Sequence, residues 1–361
     1  MFFFTAVVLL GCLGIAKDLG HLENAEQNNG ATQSQEINIL FLGNSFTYRH
    51  DLSKLVKQVF EEGQPNLKVN VEQIIYGGQD LFRHHDLYFS QTVVRMNSIT
   101  IPEIEENIAV IESMLTMEKP PVFFTDYWKK VNIDSNHKMR LWPRHRNHLK
   151  LALKTQNVIS QRIKNNKRVQ WDYVVLQSWL DIVPDVNAGY GEYAQKWANL
   201  AEQEGIKVVL YITAPHAQNK DTVVEPIGVE HTKMEIKTIQ QLAERIKPHA
   251  VVPVGLGIKN IQQGGSNLKF RYVNDAHPNQ YSAFLTANMF YAAFFRESTE
   301  GFTFNTVVEN KSKGKGVSKD PDGGEAKVVF EYSTKTLLQK AAYDAVMEFY
   351  AGYGKQLTES N

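Results

Sequence analysis

The chain has 361 residues, of which 43% are hydrophobic and 22% are charged, and Lys+Arg and Asp+Glu both total 39. This is the composition of a globular protein long enough to bury a full core, most simply as one large α/β domain with insertions. The balanced charge excludes a global attraction to nucleic acid or to an anionic membrane, so any preference for anions must be local.

The amino terminus has an apolar segment, Phe2 to Ala16, that is too short for a membrane span and is similar to the core of a secretory signal. Cleavage after Ala16 would remove Cys12, the only cysteine; cleavage before Cys12, with lipid anchoring, is the alternative. The polar segment 17–36 predicts an unfolded leader in both cases. We therefore expect a secreted or periplasmic protein with no transmembrane span in the mature chain.

Strand and helix signals alternate beyond the leader. The predicted strands are Ile37–Leu42, the segment at Leu67–Val71, Asp172–Gln177, Lys207–Pro215 and Val251–Gly257. Helical patterns follow at Tyr190–Glu204, at about 230–246 and at about 334–350. Apolar residues alternate with polar ones only in the second strand, which is typical of a sheet edge. The alternation predicts a doubly wound, flavodoxin-like parallel sheet of about five strands in a three-layer α/β/α fold.

Two segments interrupt this alternation. Residues 102–167 carry helical patterns without a strand and predict an insertion over the carboxyl edge or a face of the sheet. Residues 309–327 have almost no apolar content and predict a flexible surface loop without a chemical role. The expected organisation is a signal peptide over 1–16, a leader over 17–36 and a single domain over 37–361.

A serine follows the first predicted strand. The stretch "INILFLGNSFT" places Ser45 at the carboxyl end of that strand, the edge where ligands bind in open α/β sheets. His277 follows the last predicted strand and precedes a helix, so we expect it near the same edge. Such a pair supplies a nucleophile and the base that takes its proton. Helix capping is the alternative role for Ser45.

Four blocks of the sequence resemble the SGNH, or GDSL-like, hydrolase superfamily, and they are most similar to a secreted bacterial branch with a "GNSFT" first block. In chain order the blocks are "FLGNSFTY", "IIYGGQDL", "VVLQSW" and "NDAHP". The resemblance implies a serine esterase in which Ser45 attacks an ester carbonyl and His277 is general base and then acid. It also implies an oxyanion hole formed by the backbone N–H groups of Ser45 and Gly78 and the side chain of Gln177, without a cofactor or a metal.

Two positions depart from the pattern of that superfamily. Gln177 replaces the oxyanion asparagine; its amide can still donate, but its stem is one methylene longer. Asn274 stands where the aspartate that orients the histidine is expected, and Asp275 lies one residue later. Because an amide at the orienting position favours the wrong imidazole tautomer, we expect a shifted loop in which Asp275 orients His277. A slow or inactive enzyme is the alternative.

The insertion carries a basic segment flanked by aromatic residues. Between residues 129 and 168 there are twelve Lys and Arg and one acid. One interpretation is a solvated helix face. The other is a groove for an acidic polysaccharide, in which aromatic rings stack on sugars and guanidinium groups bind carboxylate or sulfate. The residues expected to bind substrate in the second case are Asn44, Tyr127, Trp128, Arg140, Arg144 and Arg146.

The sequence therefore predicts a secreted serine esterase that removes acetyl or a similar small acyl group from a carbohydrate or polysaccharide. We expect a monomer that acts on a small-molecule or polysaccharide ester, with no nucleic acid partner. Lipase or arylesterase activity stays open within the enzyme class, and a noncatalytic or weakly active carbohydrate-binding relative stays open outside it. The remaining histidines, including His84 and His85, match no metal-ligand motif and are expected at the surface.

Overall fold

The computed structural model describes residues 35–130, 142–215, 229–275, 277–310 and 318–359. The strands are β1 (Gln35–Gly43), β2 (Leu67–Ile75), β3 (Tyr173–Gln177), β4 (Lys207–Ile212), β5 (Ala250–Pro253), β6 (Thr306–Val308) and β7 (Lys327–Val329). The helices are α1 (Ser45–Tyr48), α2 (Leu52–Gly63), α3 (Leu81–Asp86), α4 (Gln91–Val94), α5 (Ile101–Thr116), α6 (Val122–Lys130), α7 (Trp142–Lys164), α8 (Tyr190–Gln203), α9 (Val229–Ile246), α10 (Val254–Gln263), α11 (Gln280–Phe295) and α12 (Tyr332–Glu359). The predicted signal peptide, Cys12 and all but the last two residues of the predicted leader lie outside the described ranges.

The central sheet has five parallel strands in the order β2-β1-β3-β4-β5. This order confirms the predicted doubly wound, flavodoxin-like fold, and β2 is an edge strand as its alternating pattern indicated. Residues 39–42 of β1 are fully buried, because helices cover both faces of the sheet. The direction of winding reverses between β1 and β3, which opens a crevice at the carboxyl ends of these two strands.

Two groups of helices complete the three layers. Helix α11 packs against α2 and against α12, and α11 and α12 also contact β5. Helix α8 contacts β3 and β4 and packs against α3 and α9. Right-handed crossovers place the two groups on opposite faces of the sheet. Within the described ranges, no helix combines the length and apolar character needed to cross a membrane.

The prediction of a fifth strand over Val251–Gly257 was wrong in its second half. Strand β5 ends at Pro253, and Val254 begins α10. Val252 in the strand and Leu256 in the helix are both buried, at 0% and 3% exposure, so the run is apolar throughout. A short apolar run does not distinguish a buried strand from a buried helix. Proline suits the junction because it has no N–H for a strand or a helix to satisfy.

The predicted insertion contains α5, α6 and α7, with no strand in its described part. Helix α5 packs against α7. Arg162, near the end of α7, forms two hydrogen bonds of 2.9 Å with the carboxylate of Glu72 on β2. This planar, bidentate pair fixes α7 beside the edge strand of the sheet.

Candidate active site

Ser45 is the first residue of α1 and lies two residues after the end of β1. The preceding Asn44 caps this helix: its side-chain oxygen accepts from the Phe46 N–H at 3.0 Å, and its Nδ2 donates to the Gln79 carbonyl at 2.8 Å. Asn44 also donates its backbone N–H to Gln177 Oε1 at 2.9 Å and is fully buried. The residue predicted to bind substrate therefore lies in the interior, where it joins the loops that follow β1, β2 and β3.

Gln177 supports the same turn from the end of β3. Its Oε1 accepts from Asn44 and, at 2.7 Å, from the Thr47 hydroxyl, while its Nε2 donates to the Ser178 carbonyl at 3.1 Å. A Cβ on Gly43 would lie 2.4 Å from Oε1, so only glycine leaves room for this arrangement. The oxyanion role of Gln177 stays a prediction, because one of its two amide hydrogens is already used in this way.

The loop after β2 is a tight turn. Gln79 donates its N–H to the Tyr76 carbonyl at 3.1 Å, and Gly78 has a φ of +68°, the left-handed value that the third position of a type II turn requires. The Gln79 side chain donates to the Gly77 carbonyl at 2.9 Å. Because Asn44 holds the Gln79 carbonyl, the second block of the sequence is fixed directly to the first.

His84 is fully buried beneath the turn, so its predicted surface position was wrong. Its Nε2 lies 2.9 Å from the Gly43 carbonyl and its Nδ1 lies 3.1 Å from Ser90 Oγ. A carbonyl only accepts, so Nε2 carries the hydrogen and the Ser90 hydroxyl donates to Nδ1. Burial lowers the pKa of His84 to about 4, and the ring is neutral at pH 7. His84 is therefore a second support of the Ser45 turn, whereas half-buried His85 pairs with Asp86.

The structure brings Asp275 against His277. Oδ1 of Asp275 contacts Nδ1 of the imidazole, so Nδ1 carries the hydrogen and Nε2 is the basic nitrogen. The imidazole centroid lies 6.1 Å from the ring of Phe46, the residue after the candidate nucleophile. The Asn274 side chain is exposed, and the backbone N–H of this residue donates to Asp322 at 2.8 Å. Asp275, rather than Asn274, thus contacts the imidazole.

Two buried charged residues lie behind Asp275. Arg49 Nη1 donates to Asp275 Oδ2 at 2.8 Å, and the Nε and Nη2 groups of Arg49 bind Glu309 at 2.5–3.1 Å. Burial lowers the pKa of Arg49, but the hydrogen bonds and charges of Glu309 and Asp275 outweigh it and raise the pKa above its ordinary value. Sequence reasoning missed Arg49 and placed Glu309 in a surface loop, although Glu309 is fully buried. Val307 and Glu309 are buried on either side of exposed Val308, so the alternation typical of a half-buried strand was the one available signal.

A further buried acid holds the loop after β3. Asp181 accepts from the Trp179 N–H at 3.1 Å, and the Trp179 ring packs edge-on against Phe46 at 5.0 Å. Burial and then the charge of Asp80 raise the pKa of Asp181 to about 7. Asp80 itself pairs with buried Arg83 at 2.9 Å. The loop that borders the candidate nucleophile is thus anchored by a carboxyl group that titrates near neutral pH.

Only part of the predicted acidic-glycan groove is described. Tyr127 is 4% exposed, stacks on Phe82 at 4.0 Å and donates to Asp181 at 3.1 Å, so its ring is a core residue rather than a sugar platform. Arg146 donates to the Met117 carbonyl at the end of α5. Outside the described part lie Arg140 and the side chains of Trp128 and Arg144. The groove therefore stays a prediction.

Comparison with known protein families and with curated proteins finds no match. Among solved structures, a DUF4886 family protein from Bacteroides uniformis is 11% identical with a TM-score of 0.45, and the match covers 87% of this chain and 95% of that one. A protein from Slackia heliotrinireducens, titled "a putative SGNH hydrolase", is 15% identical with a TM-score of 0.35, over 70% of this chain and 96% of that one. Similarities this distant carry no argument about activity, which must come from the geometry of the site.

Proposed function

We propose that this chain is a serine esterase of SGNH type, with Ser45 as nucleophile, His277 as general base and then acid, and Asp275 as the residue that orients His277. The observation that supports the proposal is the contact of Asp275 with Nδ1 of an imidazole that lies beside Phe46. A carboxylate at Nδ1 holds the tautomer whose Nε2 can accept a proton, and it stabilises the imidazolium that forms.

In the proposed reaction Ser45 Oγ forms a bond to the ester carbonyl carbon while its proton moves to His277. The N–H groups of Ser45 and Gly78, with the second amide hydrogen of Gln177, would hold the oxyanion. Collapse breaks the ester C–O bond, and the leaving alcohol takes the proton from His277. Water then hydrolyses the acyl-serine with the same base. Within the described residues Ser45 Oγ makes no hydrogen bond. We therefore expect the hydrogen bond between Ser45 Oγ and His277 to form when substrate binds.

The substrate class that we propose is an acetylated carbohydrate, and the export of the chain is proposed from the apolar segment 2–16 alone. If the basic segment binds an acidic polymer, reversing the charge of Arg140 and Arg144 should raise KM for an acetylated acidic polysaccharide, and added salt should have the same effect. Hydrolysis of a small neutral ester should not change. Indifference of the polymer KM to salt and to both substitutions would remove the acidic glycan from the proposal.

The alternative is a noncatalytic, carbohydrate-binding relative on the same fold. The observation that favours it is Gln177, whose Oε1 accepts from Asn44 and Thr47 and whose Nε2 already donates one of its two hydrogens to the Ser178 carbonyl. A fold that retained the Ser45 turn as a structural feature would keep these hydrogen bonds without needing the oxyanion hole.

A fluorophosphonate probe distinguishes the two proposals, because it reacts only with an activated serine. Labelling should occur at Ser45, disappear in Ser45→Ala and fall strongly in His277→Ala, while Ser298→Ala, a half-buried serine remote from the turn, should label as wild type does. Asp275→Asn should lower kcat for p-nitrophenyl acetate by up to about 10⁴-fold, and Asn274→Ala should have little effect. Folded protein that takes no label would favour the noncatalytic relative.

A further inference from the structure

Arg49 connects three segments that are distant in sequence. It follows α1 and therefore lies four residues after the candidate nucleophile, whereas Asp275 precedes α11 and Glu309 follows β6. The side chains of Arg49, Asp275 and Glu309 are 4%, 10% and 0% exposed. Ion pairs removed from water in this way are costly unless their geometry is complete, so the arrangement requires an explanation.

The geometry divides the donors of Arg49 between the two carboxylates. A guanidinium and a carboxylate that meet alone favour a bidentate pair, which uses both carboxylate oxygens. Here Glu309 takes Nε and Nη2, and only Nη1 remains for Asp275 Oδ2. Oδ1 of Asp275 is consequently left for His277 Nδ1. Glu309 thereby limits Arg49 to one oxygen of Asp275.

Charge leads to the same conclusion. Besides Arg49, the guanidinium of Arg271 interacts electrostatically with Asp275, so the carboxylates of Asp275 and Glu309 face two positive charges. The negative charge of Glu309 therefore favours the imidazolium that forms when His277 takes a proton. Without Glu309, the positive charges of Arg49 and Arg271 would outweigh the charge of Asp275. Neighbouring His50 adds no positive charge to the cluster: its Nε2 donates to the Pro278 carbonyl at 2.9 Å, and burial lowers its pKa.

The residue after Glu309 holds the chain around Arg49. His50 and Asp51 both have left-handed backbone conformations, with φ of 60° and 53°, which are strained for residues other than glycine. Asn310 accepts from the His50 N–H at 3.2 Å and donates to the Tyr48 carbonyl at 2.6 Å. The segment after β6 therefore fixes both the backbone and the side chain of the turn that carries Arg49.

We propose that Glu309 is a positioning residue for the esterase reaction. It binds Arg49 so that Arg49 holds Asp275 through one oxygen only and leaves the other oxygen, with its charge, to His277. The inference rests on the proposed function of Ser45, His277 and Asp275. It assigns a role in the site to a segment for which the sequence predicted none.

The test compares Glu309→Gln with the double variant Arg49→Met/Glu309→Met, using p-nitrophenyl acetate hydrolysis and fluorophosphonate labelling. In the single variant, Arg49 can capture both oxygens of Asp275, and we expect kcat to fall by about 10²-fold with KM unchanged, the loss typical of a misplaced catalytic group. In the double variant the guanidinium of Arg49 can no longer capture Asp275. Its kcat should recover to within about tenfold of wild type, since a buried ion pair can be replaced by apolar residues of similar volume.

A merely structural role for Glu309 makes the opposite prediction, because removal of both partners disrupts the interior at least as much as removal of one. The proposal is overturned if folded Glu309→Gln retains kcat within threefold of wild type, or if the double variant is as slow as the single one. Should Glu309→Gln not fold, Glu309→Met, the single counterpart of the double variant, takes its place with the same expected ranking. If wild type itself shows neither labelling nor hydrolysis, the proposed function fails instead.

Discussion

Asp181 should make the stability of the fold depend on pH. Its pKa rises from 3.8 to about 7 in the folded state, through burial and then the charge of Asp80. The folded chain therefore binds this proton more tightly than the unfolded chain, and the stability it contributes is fully present below pH 4 and is lost as the pH rises through 7. About three pKa units at 1.36 kcal/mol each give an upper limit of about 4 kcal/mol, of which about 3 kcal/mol falls between pH 5 and pH 8.

Asp181→Asn removes this titration and keeps an oxygen that can accept from the Trp179 N–H. Urea unfolding of wild type and variant at pH 5 and pH 8 should show the free energy of unfolding of the variant gaining about 3 kcal/mol relative to wild type over this interval. Asp185→Asn, an exposed acid in the same loop, is the control and should leave the pH dependence of wild type unchanged. A difference between Asp181→Asn and wild type that is the same at both pH values would refute the reasoning.

Three further predictions concern the supports of the Ser45 turn. Gly43→Ala places a Cβ 2.4 Å from a buried side-chain oxygen and should abolish probe labelling, whereas Gly77→Ala, with open space around it, should label normally. Gly78→Ala and Gly205→Ala share a positive φ, of 68° and 70°, and should both lose about 1–2 kcal/mol of stability in urea unfolding, but only Gly78→Ala should also lose esterase activity. The lowered pKa of His84 contributes stability above pH 6.5 that is lost as the pH falls through about 4. Between these two pH values, the thermal unfolding temperature of His84→Asn should therefore depend less on pH than that of wild type. An equal pH dependence of the two proteins would contradict the burial argument.

The sheet could be predicted from local pattern because its cause is local. The apolar run Ile39 to Leu42 is buried on both faces, and the alternation along Leu67–Val71 reflects an edge position. The apolar pattern of each strand therefore indicates whether one or both of its faces are buried. The prediction was wrong where two environments look alike. Val254–Gly257 is as apolar as β5, and only packing against α11 and α12 shows that it is helical.

Some residues of the candidate site could be predicted from the sequence and others could not. Ser45 and His277 could be singled out because each stands at a recognisable junction of a strand or loop with a helix, and Asp275 because it lies two residues before His277. Arg49, Glu309 and His84 could not, because charged and polar residues in the interior have no periodic signal. Their partners are also remote: 260 residues separate Arg49 from Glu309, and 41 separate His84 from Gly43.

The sequence by itself determined the order of strands and helices, and with it the sheet edge at which Ser45 should stand, because hydrophobic period and turn residues act over a few neighbours. Only the tertiary structure decided which buried side chains support that edge. Gln177 and His84 hold the Ser45 turn, and Glu309 reaches Asp275 through Arg49, because an uncompensated polar group in the interior is costly and must find a partner wherever the fold brings one. Because these partners are far apart in sequence, no short stretch of the chain predicts which residues will pair.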